Sequence, residues 1–313
     1  MIAGFNRFID RFDPDTVHAH MMTGALISRF GSMRRRFALV TTVHHELQKS
    51  ASLVRASDCM VAVSRAVAED LAARGIGPER MSIVLNGTVG ALRLLLRPAA
   101  RPVCLKHPNI VCVAGMYRRK GIADLLHAFA LVREQSVNER EFLPEPHLYL
   151  VGDGPDRSAM EALAAELGIA SAVHFTGFVA DARPYFASAD VFALLSRQDP
   201  SPLVIAEARE AGCATVAARV GGIPEMFDDG AAGVLVPPGD PAQAAARLRW
   251  LLIDSRRAAC TRRAWQNLQR LSVERVSGEY MAIYQHTLAE RASMRRRQIT
   301  LDARRTRAPD GAV

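Results

Sequence analysis

Short apolar runs alternate with helix-length patterned segments along nearly the whole chain, and that alternation predicts the architecture. The runs, rich in β-branched residues, are TVHAH (16–20), ALVTTVH (38–44), CMVAVS (59–64), SIVLN (82–86), NIVCVAG (109–115), HLYLVGD (147–153), VHFTG (173–177), VFALLS (191–196), ATVAA (214–218) and GVLVP (233–237). Between them lie patterned helices such as 121–134 and 156–167. Strands apolar on both faces, alternating with helices, predict parallel sheets covered by helices, an α/β doubly wound plan. The pattern breaks at LLLRPAARPVCLKHP (94–108), whose three prolines, basic residues and lack of period read as a linker. Two domains joined there, 1–97 and 98–270, would leave a cleft between them, with ligands expected just beyond the carboxyl ends of the strands.

Composition narrows the class. A chain of 313 residues exceeds one ordinary hydrophobic core, which fits two domains. With 49% hydrophobic and 23% charged residues it reads as a soluble globular protein. No stretch reaches the roughly 18 uninterrupted apolar residues of a membrane-spanning helix. The opening MIAGFNRFIDRFDPD lacks an apolar h-region and a cleavage site, so no signal peptide is expected. Five cysteines without metal-ligand spacing read as buried, reduced thiols of a cytoplasmic protein. The net charge of +8 is uneven: residues 291–313 hold seven arginines against two aspartates. That stretch reads as a basic disordered tail, or as a segment drawn to an anionic membrane surface. The absence of interleaved aromatics or a docking motif argues against a nucleic-acid partner.

Four segments carry candidate chemistry. In HLYLVGDGPDRSAM, Gly152 and Gly154 follow a strand, but Arg157 stands where a dinucleotide fingerprint needs its third glycine. A tight turn near a nucleotide and a purely structural turn both remain open. In VAGMYRRKGIADLLHAF, Arg118, Arg119 and Lys120 leave a strand for a helix, placed to neutralise a diphosphate or to form a solvated basic turn. In QDPSPLVIAEAR, Ser201 is expected to cap a helix with Pro202 at its first position. The amides of Leu203 and Val204 would then meet a phosphate, with Asp199 and Glu207 gripping sugar hydroxyls on either side. Lastly, Gly221 and Gly222 make a sharp turn after a strand.

These segments, with FDPDTVHAH, VTTVHHE, SDCMVAVSRAVAEDLAARGI, IVLNGTV, VHFTGFVADARPYFASADVFALLS and GGIPEMFDDGAAGVLVPPGDP, follow one family's order from about residue 7 to 288. Together they resemble the retaining GT-B glycosyltransferases of family 4, also called glycosyl transferases group 1. The resemblance implies two Rossmann-like domains facing a cleft, the N-terminal one incomplete because the family's first strands and glycine-rich loop are not found. Residues 271–290 match the helix that crosses back to the first domain. The family implies a nucleotide-sugar donor, a saccharide or lipid-linked acceptor and no metal or other cofactor. Its Glu-x7-Glu motif maps to Asp199, on the transferred sugar, and Glu207, on the ribose. Lys120, with Arg118 or Arg119, maps to the diphosphate, backbone near Val179 to the base, and His44 to the histidine that reaches the reacting sugar. Two positions depart from the family: Asp199 replaces its usual Glu, and Met116 stands where an arginine commonly follows the glycine. A nucleotide-sugar-binding homologue without transfer is the alternative implied by the missing loop. A GT-B-shaped epimerase or phosphorylase has no signature in the chain.

Overall fold

The computed structural model describes residues 2–20, 24, 28, 37–44, 57–90, 102–138 and 145–305. It divides into two compact units, one of Met1–Val63, Val67–Val84 and Ser277–Val313, the other of Ser64–Ala66 and Leu85–Val276.

The first unit is built on a parallel four-stranded sheet in the order β1-β2-β3-β4, formed by Thr16–His20, Ala38–Val43, Cys59–Ala62 and Met81–Ile83. Helix α1, Ile2–Phe12, buries Ile9 against Ala19, Phe37 and Leu39. The helix Arg65–Ala73 sets Val67, Ala68 and Leu71 on Val43, Met60 and Ala62. The long last helix, Val273–Arg305, brings Tyr280 within 2.9 Å of Thr42 Oγ1 and Tyr284 within 2.6 Å of His18 Nδ1. Burial, then the neighbouring His20 and His44, lower the His18 pKa from 6.5 to about 4. A histidine depressed in this way favours the neutral form when folded, so its contribution is present above pH 6.5 and lost as pH falls toward 4. The melting temperature is expected to drop across that window and to drop less in His18→Asn. Identical pH profiles for the two proteins would place the acid sensitivity elsewhere.

The second unit holds a parallel six-stranded sheet in the order β7-β6-β5-β8-β9-β10. Its strands are β5 Asn109–Val113, β6 His147–Val151, β7 Val173–Gly177, β8 Val191–Leu194, β9 Ala214–Ala218 and β10 Val234–Val236. Alternate residues feed two cores. Ile110, Val191 and Ala193 join Phe129, Leu148 and Leu248 on one face, while Phe192 and Leu194 join Ile205, Ala217 and Phe227 on the other. Strands buried on both faces read as unbroken apolar runs, which is why Val191–Leu194 and Ala214–Ala218 were legible. The order reverses between β5 and β8, and in open α/β sheets the carboxyl ends of the strands at such a reversal form the ligand crevice.

Three expectations differ from the structure. The division falls at Val84/Leu85 rather than 97/98, because Leu85 packs among Phe192, Ile205 and Leu271 and Val89 bonds to both Leu271 and Val273. Linker residues 94–101 lie outside the described residues. The tail from 291 is helical to Arg305. Arginine, methionine and alanine are good helix formers, no proline intervenes before Pro309, and Arg291 Nη1 meets Asp58 Oδ2 at 2.9 Å. Of the five cysteines expected to be buried, Cys112, Cys213 and Cys260 are, while Cys59 is half-buried and Cys104 is exposed.

Candidate functional site

The carboxyl ends of β5 and β8 are joined by an ion pair and by backbone hydrogen bonds. After β5 the chain makes one tight turn, Arg118–Lys120, closed by Gly121 in the left-handed region at φ 65°. A Cβ on Gly121 would lie 1.8 Å from the Leu195 carbonyl oxygen, so the loop after β8 leaves room only for glycine. The Arg119 carbonyl accepts the amides of Arg197 and Gln198 at 2.8 and 3.3 Å. From this turn Lys120 Nζ reaches Asp199 Oδ2 at 2.5 Å, and Ser196 Oγ donates to the same oxygen at 3.1 Å. The Asp199 side chain is 4% exposed and that of Lys120 16%, so the pair sits largely out of water. Arg197 clamps Asp124, in the first turn of the helix Ile122–Asn138, through two bonds of 2.7 and 2.8 Å.

Asp199 is also held from its backbone. Its carbonyl accepts the Gly222 amide at 3.2 Å, and a Cβ on Gly221 would come within 2.0 Å of that carbonyl oxygen. The Gly221–Gly222 turn therefore lies against Asp199–Pro200 as backbone on backbone. The glycines after β6 do the same: a Cβ on Gly152 would strike the Ala114 carbonyl at 2.1 Å and one on Gly154 the Met116 carbonyl at 2.5 Å. These glycines therefore let the two loops pack backbone on backbone.

The helix Leu203–Glu210 begins one residue later than expected. Pro202 is its N-cap, and no side chain caps it; the buried Ser201 hydroxyl instead points to Met226 Sδ at 3.7 Å. Leu203 and Val204 head the helix, where the first amides have no partner within it. Glu207 lies one turn on from the exposed Leu203, along the same face.

Arg118 and Arg119 are exposed, and Arg118 lines a cavity of about 350 Å³ with Tyr117, Ile122, Met160 and Arg197. Met116 is buried, so a cation is absent there. The Val179 side chain packs on the core of Leu105, Val111 and Tyr149, while the preceding Phe178 is 80% exposed. His44 belongs to the first unit, just past β2, where its Nε2 meets His20 Nδ1 at 2.9 Å. Burial pushes the Cys112 and Cys213 thiols up to about 12, which leaves them inert as nucleophiles. Among the described residues no three His, Cys, Asp or Glu side chains cluster to hold a metal ion.

Sequence reasoning passed over three residues now seen in structured roles. His18 and His20 stand at i, i+2 in TVHAH, a spacing that places both on one face of a strand. Arg209 is fully buried, with its guanidinium on backbone carbonyls; no pattern of a charged residue in an amphipathic helix signals that.

A family model described as "Glycosyl transferases group 1" matches residues 107–254, and one described as "Glycosyltransferase Family 4" matches residues 1–89. The lipopolysaccharide core biosynthesis glycosyltransferase LpsE of Rhizobium meliloti is 29% identical over 205 residues, covering 65% of this chain and 56% of that protein. The MMP alpha-(1->4)-mannosyltransferase of Mycolicibacterium hassiacum is 29% identical over 320 residues, covering 90% of this chain and 73% of that protein. The chain thus spans little more than half the length of the lipopolysaccharide-core relatives it matches. Among solved structures, Anabaena HepE in complex with UDP superposes with a TM-score of 0.74 at 22% identity, over 91% of this chain and 82% of that one.

Proposed function

Because the chain belongs to the group 1, family 4 glycosyltransferases and has their GT-B fold, we propose that it moves a sugar from a nucleotide-sugar donor to a hydroxyl of a saccharide or lipid-linked acceptor. The observation that carries this reading is the Lys120–Asp199 pair at the strand-order reversal, next to the head of the helix Leu203–Glu210. A cation and unpartnered amides there suit a diphosphate, whose leaving oxygen gains negative charge as the glycosidic bond breaks. Lys120 and the Leu203 and Val204 amides stabilise that charge, with Arg118 or Arg119 adding to the field. The acceptor hydroxyl oxygen bonds to the anomeric carbon on the face the diphosphate leaves, so configuration is retained. Its proton passes to a phosphate oxygen, and no metal is required. Glu207 accepts from the ribose hydroxyls, and backbone near Val179 meets the base. Asp199 holds Lys120 through Oδ2 and takes a sugar hydroxyl through its other oxygen; His44 hydrogen-bonds the transferred sugar.

UDP- and GDP-sugars are the donors to assay, since the chain is similar to a GDP-mannose-dependent mannosyltransferase of Mycolicibacterium smegmatis and to Anabaena HepE in complex with UDP. Glu207→Ala is expected to raise the donor KM about tenfold or more, the loss of roughly 1.4 kcal/mol or more of carboxylate–hydroxyl bonding. Full donor use by Glu207→Ala would remove Glu207 from the site. Tight nucleotide binding without sugar release would favour the non-transferring homologue.

The reading extends to lipopolysaccharide or glycolipid assembly, in the cytoplasm with peripheral contact at an anionic membrane surface. The arginines from 291 onward and the stacked, exposed Phe8 and Phe12 support that contact. Among the described residues no helix is long and apolar enough to cross a membrane. Co-sedimentation with phosphatidylserine vesicles, weakened by salt, is expected; the same recovery with neutral vesicles would refute the electrostatic part.

A further inference from the structure

Three histidines meet at the carboxyl ends of β1 and β2. In the parallel register His20 lies opposite Thr42, and strand alternation places His18, His20 and Thr42 on one face of the sheet. His44 follows β2 two residues after Thr42. His20 Nδ1 and His44 Nε2 are 2.9 Å apart, with the rings near parallel at 28° and their centroids 5.2 Å apart. Behind them the His18 ring lies 4.4 Å from that of His20. His18 is pinned at both nitrogens, Nδ1 to Tyr284 Oη at 2.6 Å and Nε2 to Thr42 Oγ1 at 2.7 Å. Tyr280 Oη completes the set on Thr42 at 2.9 Å.

We propose that His20 is a positioning residue for His44, fixing the rotation and tautomer of its ring through the Nδ1–Nε2 hydrogen bond. This rests on the reading of His44 as a group that touches the transferred sugar. A nitrogen–nitrogen contact of this length needs one donor and one acceptor, so choosing which ring carries the shared proton sets the tautomer of both. His20 is itself held by ring contact with His18, tilted at 35°, whose two hydrogen bonds stop its ring from turning. The last helix, by supplying Tyr280 and Tyr284, is thus the far anchor of the chain that ends at His44. Misorientation of a group at a reacting sugar is costly in rate.

The test separates the two nitrogens of His20. His20→Asn keeps a polar atom near the Nδ1 position, while His20→Phe keeps the ring and its stacking but cannot hydrogen-bond. Both changes are at an exposed strand end, and both proteins are expected to melt near wild type. With donor and acceptor saturating, His20→Phe is expected to lose roughly 10- to 100-fold in kcat with the donor KM nearly unchanged, and His20→Asn to recover most of it. The second readout needs no turnover. Long-range 15N–1H spectra of the histidines, without substrate, should show the His44 tautomer shifted in His20→Phe and preserved in His20→Asn. An unchanged His44 spectrum in His20→Phe would overturn the proposal, whatever the activity. Should the wild-type protein transfer no sugar, the functional reading fails and the spectra alone decide whether His20 sets His44. A shifted spectrum with unaltered kcat would overturn the positioning role while leaving the transferase reading intact.

Discussion

Lys120→Met is expected to lower kcat by roughly 10²- to 10³-fold, the loss seen when one donor aimed at a developing oxyanion is removed. The same change leaves the Asp199 carboxylate 4% exposed, with Ser196 but no cation. Breaking a buried pair by removing one partner costs about 3–5 kcal/mol, so the variant should also melt earlier. The two effects separate in Lys120→Met combined with Asp199→Leu. Removing both charges should return most of the stability, because apolar replacement of a buried pair is often neutral. Activity should stay low, since the cation is still missing. Stability and turnover recovered together would make the pair a structural feature alone.

Arg209→Met is the largest expected stability effect away from the site. Arg209 is 1% exposed, and its guanidinium donates to the carbonyls of Ala264 at 2.9 Å, Gln266 at 2.6 Å and Met226. Burial lowers its pKa from the ordinary arginine value, with Asp228 acting in the opposite sense. Three carbonyls on two separate segments lose their donor in the variant. Buried acceptors left without partners cost about 1–3 kcal/mol each, and partial repair by water brings the sum to on the order of 3–5 kcal/mol. A fall in melting temperature of roughly 10 °C follows for a unit of this size. Because Arg209 is two residues from Glu207 on the same helix, donor affinity should weaken in step with stability. A melting curve within a degree of wild type would show that these bonds carry little net weight.

Among the described residues the central strands Ala38–Val43, Val191–Leu194 and Ala214–Ala218 are buried throughout and read as unbroken apolar runs; the half-buried VHFTG was legible from its β-branched and aromatic residues and the glycine that ends it. The candidates Lys120, Asp199 and Glu207 came from a motif, and the structure pairs the first two of them. What could not be read is which partner a polar group selects. Ser201 carries the residue type of a helix cap yet turns to Met226, because the helix starts after Pro202. Arg209 looks like the charged face of an amphipathic helix, but carbonyls 17 and 55 residues further along the chain draw it inward. The arginines after 291 suggested a solvated coil; their helix propensity and the Arg291–Asp58 pair prevail. The VHAH spacing announced two histidines on one strand face, but the arrival of His44 from β2 depends on register, which is a tertiary fact.

A crystal structure with UDP or GDP bound tests the central claim most directly. Diphosphate oxygens are expected within about 3 Å of Lys120 Nζ and of the Leu203 and Val204 amides, with ribose hydroxyls on Glu207. A nucleotide bound elsewhere, with Lys120 still held only by Asp199, would contradict it.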